Sequence, residues 1–142
     1  MTYYGGRELA ASFRTVRENT LQIAEEIPES SYKFTVADGV RTVAQTLTHI
    51  AHIPEFQLLV HGTGVDDLKK VNFPEFTQRT RAEESKPRTK SEIIELLKHK
   101  GEQFAGFLES LDHSVLAQPV AMPPGATPAA KSRFEMLLDR KS

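Results

Sequence analysis

Apolar positions in the first part of the chain recur at helical spacing. Leu9, Phe13, Val16, Ile23 and Ile27 follow one another at steps of four, three, seven and four. Arg14, Arg17, Glu18, Glu25 and Glu26 fall largely off that stripe. The pattern predicts an amphipathic helix from Arg7 to Ile27, helix one, which Pro28 stops because it cannot continue the hydrogen-bond ladder. A polar connector from Glu29 to Arg41 follows, with a turn signal at Asp38-Gly39.

Thr42 and Gln45 stand at capping-box spacing, so helix two is expected to start at Thr42 and run to about Val60, with Gly62 as its breaker. Val43, Leu47, Ile50, Ala51 and Leu58 cover one side of it, and Ile53, Phe56, Leu59 and Val60 much of the other. An element apolar on two sides is sandwiched, and a partner subunit is the expected cover for the second side. Pro54 removes one backbone donor and predicts a kink after about Ala51.

His61 to Arg88 reads as a long polar loop with a short helical turn at Val65 to Leu68. Thr89 and Glu92 form a second capping box, and Ile93, Leu97, Phe104, Leu108 and Leu111 carry helix three to about Leu111. Gly101 within it points to close approach of a neighbouring element. A proline-rich, extended connector through Pro119, Pro123, Pro124 and Gly125 precedes Thr127-Pro128, which resembles an N-cap followed by proline at the first helical position. Helix four is expected from there, with Phe134, Leu137 and Leu138 on its apolar face. At about 14 residues it spans roughly 21 Å against roughly 31 Å for helices one and three, so it reads as truncated. The fold class is therefore all-α: one domain over residues 1–142, a four-helix bundle with long crossover loops.

Eighteen basic and 19 acidic residues leave a net charge of −1, which gives nucleic acid and anionic membranes no electrostatic reason to bind. With no apolar leader and no membrane-length apolar run, a soluble cytoplasmic protein is expected. Zero cysteines exclude a disulfide scaffold, a thiolate nucleophile and a cysteine-based metal site, leaving oxygen and nitrogen chemistry.

Five histidines are present: His49, His52, His61, His99 and His113. His49 and His52, three apart on helix two, lie on neighbouring rows of one face, with Glu55 as an oxygen donor one turn further on. His61, at a helix end before Gly62, is placed to meet the negative end of the helix dipole, and His99 and His113 have no partner readable from sequence. The basic run Lys86 to Lys90 reads as a solvated loop, and His61 to Gly64 lacks the rest of a phosphate-binding fingerprint.

The run from Val40 to His52 resembles the second-helix signature of the DinB/YfiT-like metalloenzymes, in which a capping Ser or Thr precedes a metal-binding histidine by seven residues, as Thr42 precedes His49. Residues 124 to 138 look like that family's entry to helix four. The resemblance implies a four-helix bundle, often homodimeric, whose divalent metal, commonly nickel or zinc, is held by one histidine of helix two and a histidine pair of helix four. His49 alone carries over as a metal ligand, with His52 and Glu55 as groups behind it. No histidine follows His113, so this chain is expected to bind metal weakly or not at all. The resemblance further implies a transferase acting on a low-molecular-weight thiol, such as bacillithiol or mycothiol, and an electrophile. The competing expectation is a non-catalytic dimeric bundle that binds a small apolar ligand.

Overall fold

Helix one forms as α1, Gly6–Glu26, in a computed structural model that describes residues 4–139. Its inward face differs from the expected stripe: Leu9, Ala10, Phe13, Arg17 and Ala24 are buried, whereas Val16 and Ile23 are about half exposed. The reason lies in Arg17. Its Nη1 donates to the carbonyl of Leu97 at 2.8 Å and its Nη2 to that of Ile50 at 3.3 Å, while its carbon is 5.1 Å from the centre of the Phe13 ring. Hydrogen bonds to carbonyls let a guanidinium occupy a core position, and burial draws its pKa down to about 10.

Helix two is divided into α2, Val43–His52, and α3, Pro54–Gly62. Thr42 and Gln45 make the expected reciprocal bonds at 3.1 and 2.9 Å. The break falls at Ile53, where Pro54 has no amide to offer the preceding turn. Leu47 and Ala51 pack against Ile93, Ile94 and Leu97 of α5, Lys90–Glu109, which begins at the second capping box. Phe13 meets Phe104 of α5 edge-on at 4.9 Å in the other main cluster. Gly101 does mark a close approach: an added Cβ would lie 2.9 Å from Cγ of Arg17.

Two expectations are corrected. The loop from His61 to Arg88 contains α4, Phe73–Ser85, as well as a 3-10 turn at Leu68–Lys70. Asn72 caps α4 by accepting from the Glu75 amide at 3.1 Å. Phe73 and Phe76 of α4 lie 5.5 and 5.7 Å from the Phe56 ring, and α4 packs on α2, so this chain itself covers part of the second apolar side expected for helix two.

The second correction concerns Thr127-Pro128, which is a cis peptide in a hairpin rather than a helix start. After the one-turn α6, His113–Leu116, strands β1, Pro119–Ala121, and β2, Ala130–Ser132, pair antiparallel. Fully buried Val120 anchors this hairpin beside Val60 and Leu68. The helix starts five residues later than expected, as α7, Arg133–Leu138, where Ser132 and Glu135 form a reciprocal cap with both bonds at 3.0 Å. Among the described residues, no helix is long and apolar enough to cross a membrane.

Candidate functional site

His49 is the seventh residue of α2, and the Thr42 cap therefore sets its height in the helix. Its Nδ1 lies 3.0 Å from Oε2 of Glu84 on α4. The Glu84 side chain is buried at 7% exposure, and its other oxygen accepts from Nε of Arg41 in the connector before α2. Burial pushes the Glu84 carboxyl up, but the hydrogen bonds from Arg41 and His49 outweigh it and hold the group below the ordinary range. Glu84 is then a carboxylate, which only accepts. The Nδ1 of a neutral His49 must carry the proton, and Nε2 keeps its lone pair. Around these groups α2 and α4 form an open cleft of about 900 Å³, with Gln45, Thr46 and Arg81 on its walls.

His52 and Glu55 are brought together, but in another place. His52 Nδ1 stands 3.1 Å from Glu55 Oε1, and Lys100 Nζ from α5 reaches the same oxygen at 2.7 Å. The His52 contact and the lysine hold the Glu55 carboxyl at about 2 against the opposing effect of burial. The approach to His52 is electrostatic, because neither ring nitrogen has a hydrogen-bond partner although the residue is only 5% exposed. These residues line a second cleft of about 530 Å³ between α3, α4 and α5.

His61 is not a helix-dipole partner in solvent. It is buried, with Nε2 2.9 Å from Gln57 Oε1 and Nδ1 2.9 Å from Nη1 of Arg133. A guanidinium only donates, so Nδ1 accepts and the ring is neutral. His99 lies exposed on α5, and His113 opens α6.

Sequence reasoning did not find Glu84, Arg41 or Arg81. The available signal was the Asn72-x-x-Glu75 spacing around Pro74, which announces a helix where the apolar pattern does not. A carboxylate behind one nitrogen of a half-exposed histidine is the arrangement that orients metal-bound imidazoles. It supplies one ligand where a catalytic zinc site takes three. Among the described residues, no three His, Asp or Glu side chains gather so as to hold an ion, so these residues do not complete a metal centre.

Compared with known protein families, the chain matches the DinB superfamily over residues 12–139. No curated protein matches it.

Proposed function

Because the chain belongs to the DinB superfamily, we propose that it acts as a divalent-metal-dependent enzyme related to low-molecular-weight-thiol S-transferases, with His49 Nε2 as one ligand. The 3.0 Å contact between His49 Nδ1 and Glu84 carries this proposal, since a carboxylate behind Nδ1 orients the ring and turns Nε2 of its neutral form outward as a ligand. Nickel or zinc, when bound, would lower the pKa of a thiol and favour its thiolate. Glu84 fixes the tautomer of His49, and Arg41 keeps Glu84 ionised. Arg81 faces the same cleft and suits an anionic group on a substrate. A chain without cysteine takes its thiol from that substrate. In this proposal α1, α2 with α3, and α5 are three members of a four-helix bundle, and α7 begins the fourth.

Equilibrium dialysis of the protein against zinc or nickel tests the assignment. His49→Ala is expected to abolish stoichiometric binding, and Glu84→Gln to weaken it by about tenfold to a hundredfold. The His49 side chain is 39% exposed, so the alanine variant should fold as the parent does. Unchanged binding in His49→Ala would remove the proposal, and a folded but metal-free parent would favour the apolar-ligand bundle. A homodimer also belongs to the proposal; sedimentation at high concentration should give twice 15.9 kDa, and 15.9 kDa would count against it.

A further inference from the structure

The cleft below His52 is separate from the His49 site and has its own chemistry. We propose that it binds a small hydroxycarboxylate with an aliphatic body, whose hydroxyl donates to His52 Nε2 and whose carboxylate pairs with Arg79. The first observation is the ring itself. His52 is 5% exposed; its Nδ1 is compensated by the Glu55 carboxylate at 3.1 Å, whereas its Nε2 has no partner among the described residues, a state that native proteins rarely leave uncompensated.

The neighbours of the ring say which partner it needs. Glu55 is ionised between His52 at 3.1 Å and Lys100 at 2.7 Å, so its charge draws the imidazole proton to Nδ1. Nε2 is left as an acceptor, and only an O–H or N–H donor satisfies it. The charges of the cleft decide the rest. Lys100 is neutralised by Glu55, and Glu83 by Lys86 at 2.7 Å and Arg88 at 2.8 Å. Arg79 has the Phe76 ring, 5.6 Å away, as its neighbour and no carboxylate among the described residues. An uncompensated guanidinium on the rim of a cleft selects a carboxylate, which it can hold through two parallel bonds. Half-buried Leu59 and Leu96 on the walls give an aliphatic body its place, and about 530 Å³ is within the ordinary range for a small-molecule pocket.

The test uses the full chain labelled with nitrogen-15 at histidine and the probe 2-hydroxy-4-methylpentanoate. Addition of the probe should shift the His52 Nε2 resonance saturably, with little change at His49. Its Kd should rise about tenfold for 4-methylpentanoate, which lacks the hydroxyl, and about tenfold in Arg79→Gln, an exposed position whose replacement leaves the fold intact. His52→Leu should likewise weaken binding, measured by calorimetry. An unshifted His52 resonance up to ~10 mM probe would overturn the proposal and show that hydration alone occupies the cleft. Equal affinity for the two acids, or for the parent and Arg79→Gln, would overturn it too.

Discussion

Acidification from pH 6.5 to pH 4 should cost the folded protein roughly 3 kcal/mol through a single side chain, His61. Burial, and secondarily the charge of Arg133, draw the pKa of this ring from 6.5 down to about 4. In the unfolded chain the ring takes up a proton near its ordinary value, while the folded protein refuses it until well below. Between those limits the unfolded state holds more protons, so stability falls as the pH falls, by about 1.36 kcal/mol per unit over about 2.5 units. Above pH 6.5 the contribution is fully present, and below pH 4 both states are protonated and this group adds no further loss. Urea unfolding of the parent and of His61→Asn at several values from pH 7 to pH 4 measures it directly. The variant should lose most of this slope, whatever its stability at neutral pH; parallel curves would show that the ring is already charged in the fold.

Gly6→Ala should destabilise the protein by about 3 kcal/mol, although alanine is the better helix former by about 1 kcal/mol. The first turn of α1 lies directly on the end of α5. A Cβ on Gly6 would collide with the Leu108 carbonyl oxygen and come within 2.8 Å of that of Leu111. Both obstacles are backbone, so neither can rotate away. Gly106, on α5, has nothing within 4 Å of an added Cβ, and Gly106→Ala should stabilise by about 1 kcal/mol. Denaturation midpoints of the two variants should move in opposite directions. A Gly6→Ala protein as stable as the parent would mean that the α1–α5 junction is looser than described.

The helices that build the core were legible because their signals are local. Thr42 with Gln45 and Thr89 with Glu92 announce α2 and α5, and both caps form. Pro54 announces the break between α2 and α3. Periodicity placed α1 but misjudged its face, because it treated Arg17 as a solvent residue; a partner in the carbonyls of Leu97 and Ile50 cannot be inferred from spacing. The hairpin was hidden for a related reason. Thr127-Pro128 has the form of a helix start, but it lies between the paired strands of a hairpin whose Val120 is buried beside Val60, a contact made 60 residues apart. His49 was visible on its helix, whereas Glu84 was not, because α4 buries a carboxylate where a readable helix would bury leucines.

That sparse apolar content of α4 bears on how the molecule can respond to ligands. Glu84 is the buried residue of α4, and the apolar contacts of this helix are those of Phe73 and Phe76 with Phe56. Arg81 and Glu84 wall the His49 cleft, while Arg79 and Glu83 wall the other. The two clefts thus share α4 as a common wall. Were a ligand in one cleft to displace α4, the wall of the other would change with it, and such a coupling would act equally in both directions.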